Sequence, residues 1–219
     1  KDKVSSSFSL ENMMDALSDS IGSEFGSWSA KDWSKGKEVL IVGSGPSVSK
    51  YINEIKQYIE TNNPIVLCLN INQVIPESLV DSYITCHETR IAIELDLYAD
   101  LTKPIILPMS RIPNNISGLL SNVEILDYGL KIEKGSLSAQ ENGCILDKPH
   151  VLIYALSLLS KSGAEKISLT GVDGYENQSS KQKELNKVFV KFKENNPDLN
   201  FLAITPTNLP INISLICEQ

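Results

Sequence analysis

Val39-Leu40-Ile41-Val42-Gly43-Ser44-Gly45-Pro46-Ser47 is a short unbroken apolar run that stops abruptly at glycine, proline and serine. An apolar run without alternation is how a strand covered on both faces reads, a situation found chiefly in parallel sheets flanked by helices. Directly after it, Val48, Ile52, Ile55 and Ile59 recur at helical spacing, with Ser47 suited to cap the helix start. A second apolar run, Ile65-Val66-Leu67-Cys68-Leu69, ends at Asn70-Ile71-Asn72. Strand, helix and strand in this order form a β-α-β unit, whose right-handed crossover makes the strands parallel.

Outward from this unit, Ser82-Tyr83-Ile84-Thr85-Cys86, Pro104-Ile105-Ile106-Leu107 and Val123-Glu124-Ile125-Leu126 read as a third, fourth and fifth strand. A helix is predicted from about Pro149 to Ser162, its first turn tolerant of proline and its end set by Gly163. Lys166-Ile167-Ser168-Leu169-Thr170 follows as a strand, residues 181 to 196 as an amphipathic charged helix, and Phe201-Leu202-Ala203-Ile204-Thr205 as a last strand. Residues 128 to 147 lack periodicity, and a long irregular segment inside a compact domain predicts a lid or binding loop. The fold class is α/β: a Rossmann-like, mostly parallel sheet with helices on both faces. Residues 1 to 36, with an apolar patch at Met13, Met14 and Leu17, read as an N-terminal helical arm and linker; residues 37 to 219 form the nucleotide-binding domain. The chain opens at Lys1 rather than methionine, which predicts that it is cut from a longer polypeptide. Trp28 and Trp33 read as packing the arm onto the domain rather than stacking a ligand.

With 219 residues, 42% of them hydrophobic, the chain can bury one substantial core. A formal charge of −7 argues against nucleic acid or an anionic membrane surface as partner, while leaving room for a local cationic patch. Cys68, Cys86, Cys144 and Cys217 are scattered without a C-x-x-C pair and read as small buried hydrophobes of a reducing compartment. His87 and His150 are the only histidines, no zinc spacing is present, and no metal is predicted. No apolar stretch approaches the roughly 20 residues of a membrane span, and a cytoplasmic location is expected.

The glycine turn lets backbone N–H groups approach an anion, which nominates Gly43, Ser44, Gly45 and Ser47 for a nucleotide phosphate; a purely structural tight turn is the alternative. The dinucleotide fingerprint wants a third glycine where Val48 stands and an acid at the end of the second strand, where Asn70 and Asn72 stand instead. A Walker loop is also absent, because Lys50 follows Ser49 rather than glycine. NAD and P-loop chemistry are therefore set aside in favour of another nucleotide. A second constellation, Leu169-Thr170-Gly171-Val172-Asp173-Gly174-Tyr175, would share the rim with the first if their strands are neighbours. Asp173 is a candidate for ribose hydroxyls and Tyr175 for a base or phosphate, with Asp-Gly as a plain turn the alternative.

Taken together, the Gly-x-Gly-Pro-Ser strand end, the Asn that closes the next strand and Gly163-Ala164-Glu165-Lys166-Ile167-Ser168-Leu169-Thr170-Gly171-Val172-Asp173-Gly174-Tyr175 resemble the bacterial CMP-sialic-acid-dependent sialyltransferases. They also resemble the related family of unknown function that includes archaeal hydroxymethyl-dihydropterin pyrophosphokinase and motility-associated glycosylation factors. The resemblance spans residues 37 to about 176, and Ala203-Ile204-Thr205-Pro206-Thr207-Asn208 looks like the family's closing strand and loop. The arm resembles the linker to an aldolase-like domain in some surface-polysaccharide proteins. The resemblance implies a CMP-activated acidic sugar, its phosphate near Ser44, Gly45 and Ser47 and its nucleoside near Asn70, Asn72 and Asp173. The donor is then a substrate, with no cofactor, and a glycan or small molecule is the acceptor.

The chain departs from that pattern in places. Ser44 replaces the family's Asn, Lys148-Pro149-His150 replaces a Ser-Gly, and no histidine follows His150, whereas the family's general base lies after the Asp-aromatic motif. His150 and His87 are thus the candidate bases, since imidazole titrates near working pH, and Lys148 or Arg90 are candidates to hold the leaving phosphate. Three functions compete: a CMP-sugar glycosyltransferase, a non-catalytic nucleotide-binding or scaffold module of a larger biosynthetic protein, and a pterin-type pyrophosphokinase, which would need Mg²⁺ and further carboxylates beyond Asp173 and Glu176.

Overall fold

In the computed structural model, which describes residues 25–176 and 179–216, every predicted strand falls into one seven-stranded sheet. The strands are β1 (Glu38–Val42), β2 (Ile65–Leu69), β3 (Ser82–Ile84), β4 (Ile105–Leu107), β5 (Ile125–Asp127), β9 (Lys166–Thr170) and β10 (Phe201–Ala203). Their order across the sheet is β10-β9-β1-β2-β3-β4-β5, and every pairing is parallel. The central strand explains the unalternating sequence. Val39 and Ile41 enter one core layer and Leu40 and Val42 the other, all four fully buried. One layer is covered by α2 (Ile52–Asn62), α3 (Glu88–Ile93), α4 (Leu95–Ala99) and α5 (Asn114–Ser117), through Ile55, Ile59, Ile91, Tyr98 and Ile116. The other is covered by α6 (Val151–Leu159) and α7 (Ser180–Asn195), through Leu152, Leu156, Leu185, Phe189 and Phe192.

Three local expectations are corrected. The helix after β1 is split at Tyr51 into α1 (Pro46–Lys50) and α2, and its N-cap is Gly45 rather than Ser47, whose side chain is drawn away to a neighbouring loop. α6 starts two residues later than predicted, with His150 as its N-cap.

The third correction is the segment 128 to 147, which is ordered as a second sheet rather than an irregular lid: β6 (Gly129–Ile132), β7 (Leu137–Gln140) and β8 (Gly143–Leu146), in the order β6-β8-β7. β7 and β8 form an antiparallel hairpin, while β6 pairs parallel to β8. Strands of four residues carry too few positions to show a period, and the parallel pairing of β6 with β8 skips over the intervening strand, which local pattern does not reveal. Tyr154 of α6 donates its hydroxyl to the Tyr128 carbonyl, and the Tyr128 hydroxyl donates to Gln140 O at 2.9 Å, so the small sheet is tied to α6.

Residues 25 to 36 are laid onto the domain. Gly26 and Ala30 donate backbone N–H groups to Asn142 and Glu141, and Trp28 to Asp127. Trp28 and Trp33 meet edge to face, centroids 6.2 Å apart, against the core layer of α6. The packing role expected of both tryptophans is what they perform. The predicted helix around Met13 lies outside the described residues. Cys68, Cys86 and Cys144 are buried free thiols, and burial pushes Cys68 and Cys144 up to about 12. Cys217 lies outside the described residues. No described helix is long and apolar enough to cross a membrane.

At the amino end of the sheet, Glu38 and Lys166 are cross-strand partners and form an ion pair of 3.2 Å. Glu38 Oε1 also accepts from Tyr58 Oη at 2.5 Å and from Ser168 Oγ, and Lys166 Nζ donates to Tyr58 Oη at 3.1 Å. Burial opposes ionisation of Glu38, but the hydrogen bonds from Ser168, Tyr58 and Lys166 outweigh it and hold the carboxyl below its ordinary 4.5. A depressed carboxyl stabilises the fold above the unfolded-state value and loses that contribution as pH falls through the folded one. Glu38→Gln is therefore expected to lower stability by about 1–2 kcal/mol at neutral pH, by loss of charge-assisted hydrogen bonds. Chemical denaturation from pH 7 to pH 3 checks this: the gap between variant and wild type begins to narrow as the pH falls below 4.5 and closes as it passes through the still lower folded-state value.

Candidate functional site

The chain lays down β1 to β5 in one direction across the sheet, then returns to place β9 and β10 on the other side of β1. In an open parallel sheet, the crevice beyond the carboxyl ends of the strands at such a reversal is where ligands bind. Here the reversal lies between β1 and β9, which pair from Glu38↔Lys166 to Val42↔Thr170. The two glycine constellations therefore leave the sheet side by side.

Their turns interlock backbone to backbone. Gly43 N donates to Thr170 O and Gly45 N to Gly171 O, both at 2.8 Å. A Cβ on Gly43 would stand 2.3 Å from the Gly171 carbonyl oxygen, and one on Gly45 would stand 2.6 Å from Asp173 Cγ. Asp173 reaches across: its Oδ2 accepts from Ser47 N at 2.8 Å and its Oδ1 from Ser47 Oγ. Thr205, beyond β10, locks the arrangement, its Oγ1 accepting from Ser47 Oγ and from Gly171 N, each at 3.2 Å. The Asp173 carboxylate thus occupies the place at the start of α1 where an incoming anion would be drawn. Asn72 is committed as well, with Nδ2 on Gly43 O at 2.6 Å and Oδ1 accepting from Val74 N at 2.9 Å.

The same rim keeps other groups for a ligand. Ser44 is exposed and makes no hydrogen bond to a described residue. Asn70 sits at φ +57°, a left-handed conformation that Asn tolerates better than most side chains. Its Oδ1 accepts from Thr85 Oγ1 at 2.9 Å, leaving Nδ2 without a partner among the described residues. Tyr175 is 45% exposed, and Lys181 lies 5.9 Å from its ring centroid.

No family model and no curated protein matches this chain.

Both histidines reach this rim by the same topological rule. His87 follows β3 and caps α3, and His150 caps α6, the helix that leads back to the amino end of β9. Burial, more than any neighbour, holds His150 below the ordinary imidazole value of 6.5; the charge of His87 adds to this and Glu184 opposes it. Burial also lowers His87, with Glu88 opposing and Arg90 and Arg111 reinforcing. Each imidazole is therefore neutral at neutral pH, the state that accepts a proton. His150 differs in one respect: its Nδ1 is buried with no hydrogen-bond partner among the described residues.

Of the predicted phosphate cations, Arg90 is paired with Glu94 at 2.9 Å and Lys148 with Glu184. Arg111 was not singled out from sequence. It lies four residues beyond β4, pairs with Glu88 at 2.7 Å through Nη2, and holds a buried Nε–H with no partner among the described residues. A cation just past the carboxyl end of a parallel strand is the positional signal that points to it. Thr205 was legible only as the end of the last predicted strand; its hydrogen bonds to Ser47 and Gly171 exist only once β10 lies beside β9.

Proposed function

We propose that the β1/β9 crevice binds a sugar nucleotide and that the domain is a CMP-sugar-dependent glycosyltransferase of surface-polysaccharide synthesis. One observation carries this reading: the strand reversal gathers Ser44, Asn70 and Tyr175 onto the same rim as both histidines of the chain. In this reading the nucleoside lies toward Asn70, the donor phosphate toward Ser44, and Arg111 is the cation with an unused donor. An acceptor hydroxyl gives its proton to His150 as its oxygen attacks the anomeric carbon, and CMP departs with the bonding pair of the broken C–O bond. A sugar-nucleotide donor carries with it a cytoplasmic site of action.

A second reading, a non-catalytic nucleotide-binding or scaffold module, is favoured by the Ser47–Asp173 closure, which fills the anion position with the protein's own carboxylate. A thermal-shift panel of CMP, CDP, UDP, GDP, ATP and NAD, with and without Mg²⁺, separates the two. Ligand at a hundredfold its Kd contributes about 2.7 kcal/mol, which raises the midpoint of a domain this size by about 5–10 °C. Selective stabilisation by CMP or CDP is the expected result. A flat panel would overturn the nucleotide reading and leave the glycine turn as a structural interlock.

A further inference from the structure

Beside the crevice lies a cleft of about 460 Å³, between α7 on one side and the small sheet with the β8–α6 loop on the other. That volume falls within the range of about 300–1,000 Å³ typical of small-molecule sites. Its floor is apolar, formed by Leu137, Leu146, Ile153, Leu185 and Val188. Its rim is cationic: Lys148, Lys181, Lys187 and Lys191 against the carboxylates of Asp147 and Glu184, in a chain whose formal charge is −7. These charges are not all neutralised. Glu184 is taken by Lys148, Asp147 accepts from Gly135 N, Lys191 donates to the Gly135 carbonyl at 3.0 Å, and the Lys187 ammonium makes no hydrogen bond or ion pair with a described residue.

The end of the cleft nearest the strand reversal is bounded by Tyr175 and His150. His150 therefore lines the cleft while standing on the rim of the crevice, and its Nδ1 is buried with no hydrogen-bond partner among the described residues. Tyr175, 45% exposed, offers a flat aromatic face of the kind on which a sugar ring stacks. The apolar floor suits the C–H face of such a ring, and the lysines suit an anionic substituent.

We infer that this cleft is the acceptor site, and that the acceptor is an anionic carbohydrate, a sugar bearing a phosphate or a carboxylate, with the reacting hydroxyl held at His150. The assignment rests on the transferase reading for the word acceptor, but not for the ligand class. Selection follows from charge: a local excess of lysine in an acidic protein concentrates anions at that spot and repels them elsewhere.

Saturation-transfer NMR with glucose 1-phosphate, glucuronate and glucose as probes tests it, on the wild type and on Lys187→Glu and Lys191→Glu, with CMP-induced thermal shift recorded on each. The expected result is binding of one or both anionic probes over glucose, weakened roughly tenfold or more by either charge reversal, with the CMP shift unchanged. Glucose 1-phosphate alone would assign the anion as phosphate, and glucuronate alone as carboxylate. Equal binding of glucose, or anion binding indifferent to both reversals, would overturn the inference. Anionic probes that bind and respond to the reversals in a protein no nucleotide stabilises would sink the transferase reading while keeping the anionic-carbohydrate cleft.

Discussion

Gly171→Ala is expected to lower domain stability by about 3 kcal/mol or more and its unfolding midpoint by about 6–12 °C. Two costs add. Gly171 has φ +66°, where an L side chain loses roughly 1–2 kcal/mol. Its new Cβ would also stand 2.2 Å from Val48 Cγ2 and 2.8 Å from the Gly43 carbonyl oxygen, and neither can retreat. Val48 is 1% exposed in the core layer of α2, and the Gly43 carbonyl is held by Asn72. Overpacking of this kind typically costs about 1–3 kcal/mol. Gly36→Ala is the control, since Gly36 shares a positive φ of +67° but has no atom within 4 Å of the position its Cβ would take. Differential scanning calorimetry of the two variants separates backbone strain from interlock. Similar losses in both would mean that the close approach of the β1 and β9 turns contributes little.

His150→Gln is expected to lower the rate of sugar transfer by roughly 10²–10⁴, the range for loss of a positioned general base. The CMP-induced thermal shift should stay intact, because His150 stands at the cleft rather than at Ser44 and Asn70. The pH profile supplies a readout that a structural role would not move. Burial holds the His150 pKa below 6.5, so the wild-type rate should be flat through neutral pH and fall on the acid side only below 6.5. That acid limb should vanish from the residual rate of His150→Gln. His87→Gln is the companion test, since His87 is also lowered by burial and its charge is felt at His150. If His87→Gln removes the acid limb and His150→Gln does not, the base is His87. Undiminished transfer in both variants would remove histidine from the mechanism.

Much of the scaffold for these tests was legible in the residues themselves. Most strands of the main sheet are announced by short, largely apolar runs, because a strand covered on both faces favours apolar residues along its length; β9 carries a buried Ser168 at its centre, its hydroxyl satisfied by Glu38. The glycines after β1 and β9 were legible as turns, but the reason for them was not. They read equally as an anion cradle or a tight bend, and the interlock of Gly43, Gly45 and Gly171 depends on two turns 126 residues apart in the Ser47–Asp173 contact. Asn72 was nominated for a ligand on its residue type, and the structure shows its amide engaged at both ends by backbone.

From its sequence alone, this protein is determined to be an α/β domain whose strands end on one rim, with Ser44, Asn70, Asp173, His87 and His150 following them or capping the helices that return. Those are consequences of local periodicity and of the direction in which parallel strands run. Tertiary structure alone decides which of these groups remain free. The placement of β9 against β1 turns Asp173 inward onto Ser47, and the small sheet of residues 129–146 creates the lysine-rimmed cleft beside His150. Both outcomes rest on contacts between residues far apart in the chain, and a hydrogen bond or a desolvated imidazole exists only after those distant segments have met.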